Sequence, residues 1–186
     1  MIINKFMKKF ILALFIFLPC MAFAQTTKKD SIWAPMRFFI GQWTGKSEGT
    51  ADKGVYERTY KPVLNDNFIE VNNKTTFEPM AEQPKGEVHE DMGFISYDKS
   101  KKRFVLRQFH IESFVNTYVM DSISPDHKTM VFVSDQIENI KPGWRARETY
   151  NIINENEFVE TFELAEPNKD FEVYKQGRMT RLATGR

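Results

Sequence analysis

From Trp43 to Leu182 the chain alternates apolar and polar residues in short runs rich in β-branched and aromatic side chains, each bounded by Gly, Pro, Asn or Asp. Ten such runs stand out, at residues 43–48, 54–61, 67–77, 88–97, 102–111, 114–123, 128–136, 144–153, 157–164 and 171–182. No helical period of useful length separates them, so sequential runs are joined by turns and pair antiparallel. Pro125-Asp126-His127 and Asn154-Glu155-Asn156 have turn composition. The longer connections, Glu78–Glu87 and Ile137–Gly143, each carry Pro and Gly and are expected at a rim. A sheet of this kind leaves edges open unless it closes on itself. The pattern therefore predicts an all-β chain, a single antiparallel up-and-down β-barrel of about ten strands. Ahead of it, Ile32–Ile40 carries Trp33, Met36, Phe38 and Phe39 and predicts a short helix that stops at Gly41 and caps one end.

The first residues have a different pattern. Lys5, Lys8 and Lys9 precede an apolar run from Phe10 to Leu18, and Ala22-Phe23-Ala24 offers small residues where a signal peptidase reads. Residues 1–24 are expected to be a secretory signal peptide cleaved after Ala24. Residues 25–35 then form a leader and 36–186 the barrel domain. The run is too short for a permanent membrane anchor, so no integral membrane segment is expected after cleavage. Pro19 before Cys20 argues against a lipidation site. Cleavage removes three Lys and no acid, changing 26 basic and 25 acidic residues into 23 and 25. It also removes the single Cys. The exported, periplasmic or secreted domain then has no thiol chemistry, no disulfide and no Cys-ligated metal. Its near-neutral charge supplies no basic surface for nucleic acid.

The segment Phe39-Ile40-Gly41-Gln42-Trp43-Thr44-Gly45 resembles the Gly-x-Trp opening of the calycin superfamily, the lipocalins and fatty-acid-binding proteins. Gly86-Glu87-Val88-His89-Glu90 before one strand and Arg178-Met179-Thr180-Arg181-Leu182 in the last extend the likeness over nearly all of residues 36–182. Nitrobindin-type haem-binding barrels and exported lipocalin-like domains of unknown function are the most similar kinds. The resemblance implies that Trp43 packs beneath the barrel against a basic residue of the last strand, here Arg181, both structural together with Gly41. It also implies haem. The nitrobindin-type axial His lies near the chain end, but residues 128–186 contain no His. Tyr174 on the last strand, or His110 on another, would have to take its place.

A barrel of ten strands has room for one small ligand. On residues 144–152 the more apolar alternation includes Glu148, and on 158–164 it includes Glu160. If those faces point inward, two carboxylates lie in poor solvent and call for protonation or a basic partner. The hairpin 103–120 offers that partner. With Glu112-Ser113 as a two-residue loop, one face collects Val105, Arg107, Phe109, Asn116, Tyr118 and Met120. The other collects Phe104, Leu106, Gln108, His110, Val115 and Thr117. The first brings Arg107 inside, the second Gln108 and His110, and the inward glutamates favour the first. A one-residue change in the loop alters the pairing.

His89 at a strand entrance and His127 in a turn read as solvated residues, and Lys99, Lys101, Lys102 and Arg103 as an exposed basic turn. The chain has no Gly-x-Gly-x-x-Gly, phosphate-binding loop, His-Glu-x-x-His or Gly-x-Ser-x-Gly. No residue is assigned a catalytic role and no metal ligand set is present. Three readings follow. One is an exported barrel holding a small apolar or amphipathic molecule in a polar-lined cavity. The second is a haem barrel acting on nitrogen oxides. The third is a packed domain with a structural or partner-binding role.

Overall fold

The computed structural model describes residues 27–47, 54–80 and 84–183. The expected signal peptide and Cys20 lie outside the described residues. The chain separates into two compact units, residues 1–34 and Pro35–Arg186, and the second contains every described strand.

Among the described residues one helix, α1 (Lys28–Arg37), precedes the strands. It begins four residues earlier than the hydrophobic pattern suggests, because Thr27 and Asp30 form a reciprocal cap. The Asp30 N–H donates to Thr27 Oγ1 (3.1 Å) and the Thr27 N–H to Asp30 Oδ2 (3.1 Å). Pro35 has no N–H to donate to the Ser31 carbonyl of the preceding turn, and the helix ends two residues later.

Ten strands follow: β1 (Gly41–Ser47), β2 (Gly54–Val63), β3 (Phe68–Phe77), β4 (Glu87–Asp98), β5 (Arg103–His110), β6 (Val115–Ile123), β7 (Thr129–Glu138), β8 (Arg145–Asn154), β9 (Glu157–Ala165) and β10 (Glu172–Arg181). Each pairs antiparallel with its sequence neighbour, and β1 pairs with β10 to close the barrel. At the end where β1 begins, the connections are tight. Leu64, Asn65 and Asp66 turn through positive φ of 52–58°, and Asp126 Oδ1 accepts from Ser124 Oγ (2.6 Å) and the Lys128 N–H (3.1 Å). At the opposite end β3 gives way to β4, and residues 139–144 form a longer connection between β7 and β8.

The hairpin β5–β6 corrects the sequence expectation. Its loop is Ile111-Glu112-Ser113, three residues rather than two. Ser113 sits at φ 73°, its N–H donates to His110 O (2.9 Å), and the His110 N–H donates to Phe114 O (3.1 Å). A three-residue loop with a left-handed third residue shifts the register by one. Gln108 therefore faces Asn116, and Leu106 faces Tyr118.

The tight-turn end is filled with aromatic side chains. Met36, Phe39, Trp43, Phe158, Met130 and Met179 are 0–2% exposed. The Phe39 ring packs against Tyr60, Tyr150 and Phe158 at 5.3–5.4 Å, and the Trp43 ring edge-on to Phe158 at 4.8 Å. Trp43 Nε1 donates to Phe39 O at 2.7 Å, satisfying the buried indole. Directly across the β1–β10 seam, Arg181 pairs with Trp43, its guanidinium carbon 4.0 Å from the ring centroid. The same guanidinium donates to Ile40 O (2.7 Å) and Phe38 O (2.6 Å). Gly41 lies beneath at φ 126°, a conformation that disfavours side chains, and a Cβ there would meet Arg181 Nη1 at 3.1 Å.

Arg181 thus ties the first strand, the last strand and the segment before the barrel. Replacing Arg181 by Met is expected to destabilise the protein by about 2 kcal/mol in urea unfolding, through loss of the cation–ring contact and two charge-assisted hydrogen bonds. Lys should restore less than half of this, because one ammonium cannot span both carbonyls and cover the ring.

Candidate functional site

Above the aromatic end the inward positions turn polar. On β2 burial alternates strictly, so Arg58 occupies the same face as Tyr56 and Tyr60 and is 5% exposed. By the same alternation β8 turns Glu148 inward between Ala146 and Tyr150. Glu160 of β9 points inward two residues after Phe158, and Asp91 of β4 two before Gly93. On β10 Lys175 shares the inward face of Gly177 and Met179 by simple alternation, and Tyr174 points outward.

These groups form one cluster. Arg58 Nε lies 3.5 Å from Glu160 Oε2, and Arg58 Nη1 reaches Lys74 O (3.3 Å) and Thr75 Oγ1 (3.5 Å). Tyr150 Oη donates to Glu148. Asn73 Nδ2 (2.8 Å) and Gln108 Nε2 (3.4 Å) both donate to Asp91 Oδ1. Asn116 Nδ2 is shared between Tyr118 Oη (2.9 Å) and His110 Nε2 (3.2 Å). The Lys175 ammonium lies 4.8 Å from the Tyr56 ring centroid and 5.7 Å from that of Phe77. Gly177 is required beside it, since a Cβ there would come within 2.4 Å of the Tyr56 ring. Asn73, Asp91, His110 and Lys175 are half-buried, so solvent reaches this layer from the long-loop end. At that end His89 bridges Glu87 (2.8 Å) and Glu112.

Burial dominates the proton affinities. It raises Asp91 to about 6, with Arg58 opposing. Burial and the neighbouring Glu160 hold Glu148 well above the usual carboxylate range. Burial lowers His110 to about 4 and also depresses Lys175, with Arg58 adding repulsion.

Of the residues singled out in the sequence, Glu148, Glu160, Asn116, Tyr118, Gln108 and His110 face the interior. Arg107 and Phe109 do not: Arg107 is exposed and Phe109 is 49% exposed on the outer face of β5. The shifted hairpin register combines β5 residues of one anticipated face with β6 residues of the other. The basic partner of the glutamates is therefore Arg58, on a strand that sequence reasoning passed over. Asp91, Asn73 and Lys175 were also missed. The alternating segment Tyr56-Glu57-Arg58-Thr59-Tyr60 carried the signal for Arg58. Tyr174 is 66% exposed, outside the barrel. His110 faces inward, but its ring stacks on Phe114 with centroids 4.0 Å apart and its Nε2 already accepts from Asn116. These contacts do not fit an imidazole presenting Nε2 to haem iron. A cleft of about 410 Å³ bordered by Thr44, Lys46, Val55, Arg178 and Thr180 lies on the outer face of β1, β2 and β10, across the sheet from the cluster.

Among solved structures, the crystal structure of Rv2717c from M. tuberculosis is similar to this chain, with a TM-score of 0.56 and 10% sequence identity over 82% of this chain and 98% of that one. The likeness is one of fold. No family model and no curated protein matches.

The proton affinities give opposite pH signatures. For Asp91 the folded-state affinity exceeds the unfolded one, so its contribution is favourable at acid pH and is lost as pH rises through about 6. Asp91→Asn should gain on the wild type by about 1–3 kcal/mol as urea unfolding is moved from pH 4 to pH 7.5. For His110 the folded-state affinity is lower, so its contribution is present above about 6.5 and lost as pH falls toward 4. His110→Gln should gain on the wild type as pH falls across that window.

Proposed function

We propose that this chain is a calycin-like binding barrel that holds one small amphipathic molecule, its apolar part toward the aromatic end and its polar part among the enclosed ionisable groups. The observation that carries the reading is the inward cluster of Arg58, Asp91, Glu148, Glu160 and Lys175. Withdrawing ions from water costs several kcal/mol each, and apolar residues of similar volume at such positions are often neutral or stabilising. A barrel whose role was only structural would need none of these charges. Polar groups converging inside a mainly apolar enclosure are what a selective small-molecule site requires. The solvent-reached layer at the long-loop end supplies the entrance.

Native mass spectrometry of the full-length protein purified without denaturation is the test. The expected result is a bound mass of a few hundred daltons, absent in Lys175→Trp, whose indole would occupy the entrance layer, at an unchanged urea midpoint. A bare mass throughout, with no stabilisation by any small molecule screened, would mean a packed domain. Hemin is expected to give no His110-dependent Soret band; a band lost in His110→Ala would replace this reading with a haem protein.

We also propose that the protein is exported, on the strength of the Lys-rich start, the apolar run and Ala22-Phe23-Ala24. N-terminal sequencing of the protein recovered from its native host is expected to begin at Gln25. A chain that retains residues 1–24 would overturn export by cleavage.

A further inference from the structure

Two features of the cluster remain unexplained by its own contacts. The first is a surplus of acceptors. Asn73 and Gln108 both turn their amide N–H groups to Asp91, and Asn116 turns its own to Tyr118 and His110. Asp91 fixes the orientations of Asn73 and Gln108, and with the amides so placed Asn73 Oδ1, Gln108 Oε1 and Asn116 Oδ1 are buried with no hydrogen-bond partner among the described residues. Gln108 is 4% and Asn116 2% exposed, so bulk water does not compensate them. The three lie side by side across β3–β6: Asn73 faces Asp91, Asp91 faces His110, and Gln108 faces Asn116. An unpaired buried carbonyl costs about 1–3 kcal/mol, and three on one wall define a place where N–H donors belong.

The second feature is charge. The cluster holds three carboxyl groups, Asp91, Glu148 and Glu160, against two cations, Arg58 and Lys175. It reaches balance only while one carboxyl stays protonated. Arg58 is already committed to Glu160, Lys74 O and Thr75, and the Lys175 ammonium lies over Tyr56 and Phe77. One further positive charge with several N–H donors would take the place of that proton and supply the missing donors.

We propose that the ligand's polar end is a cationic nitrogen group, a primary ammonium or an amidinium, received by Asp91 and the free amide oxygens of Asn73, Gln108 and Asn116. This rests on the binding reading above and specifies its ligand class. An ammonium directs three N–H donors from one centre, and this wall offers three free amide oxygens around a carboxylate. The other ionisable groups facing Asp91 are Arg58, Lys175, Glu148, Glu160 and the neutral His110. Of these only the carboxyl groups favour the incoming charge, which is why Asp91 must be ionised for binding.

Three probes of equal chain length separate the possibilities: hexylammonium, hexanoate and 1-hexanol, each titrated into the full-length protein with thermal unfolding as readout. At pH 7.5 hexylammonium is expected to bind at least about tenfold more tightly than either of the others, a difference of about 1.4 kcal/mol. That preference should disappear in Asp91→Asn and weaken in Gln108→Leu, while affinity for 1-hexanol stays unchanged in both. Hexylammonium affinity should also fall as pH drops below about 6, where Asp91 keeps its proton. Equal or tighter binding of hexanoate or 1-hexanol would overturn the head-group assignment and leave the binding reading standing. Failure of all three to bind would overturn it as well, and the native mass measurement decides the binding reading separately.

Discussion

The seam between β1 and β10 is the constraint on which the barrel depends, because it joins the strands furthest apart in sequence. A chain of hairpins forms its other pairings locally, whereas this one closes a loop of well over a hundred residues, and each pairing residue must offset that entropy. The seam is reinforced at its tight-turn end. Arg181 covers the Trp43 indole and binds the carbonyls of Phe38 and Ile40, so one side chain fastens the last strand to the first and to the segment preceding it. Trp43 in turn supports Phe158 and, through Nε1, Phe39. The aromatic floor exists because the seam holds its two sides together.

Above that floor the same closed wall creates the opposite problem. Ions facing inward cannot turn to solvent without reversing the face of an entire strand, so they settle their charge among themselves. Arg58 and Glu160 do so by pairing, Glu148 by a raised proton affinity and the hydroxyl of Tyr150, and Asp91 by collecting two amide donors. The barrel is thus aromatic at one end and polar toward the other, a gradient that would orient the proposed amphipathic ligand lengthwise.

The strands were legible in the sequence because Pro, Gly, Asn and Asp punctuate them and β-branched and aromatic residues fill them; the observed bounds differ by only a few residues. Glu148 and Glu160 were legible because each interrupts an otherwise apolar face. The β5–β6 hairpin was not. Its outer face carries Val105 and Phe109 beside Arg107, and its inner face Gln108 and His110 beside Phe104 and Leu106, so polarity does not decide between them. The deciding feature is the left-handed backbone of Ser113, a residue whose type does not demand it. Lys175 shares the inward face of Gly177 and Met179, but a lysine on the last strand between the exposed Tyr174 and the polar Gln176 reads as a solvated residue. Arg58 was readable between two tyrosines, on the strand alternation of Tyr56 and Tyr60.

The placement of Trp43 opposite Arg181 also bears on how the chain order relates to the architecture. The start of the first strand and the end of the last lie side by side, so the ring of strands has no privileged beginning. A short covalent link between them, with a new opening cut in Ile137–Gly143, would describe the same circle of hairpins from another starting point. In such a rearranged polypeptide Met36–Ile40 would become an internal bridge. Closure of the floor would then no longer rest on a terminus finding its place, but would be carried by a segment held at both sides.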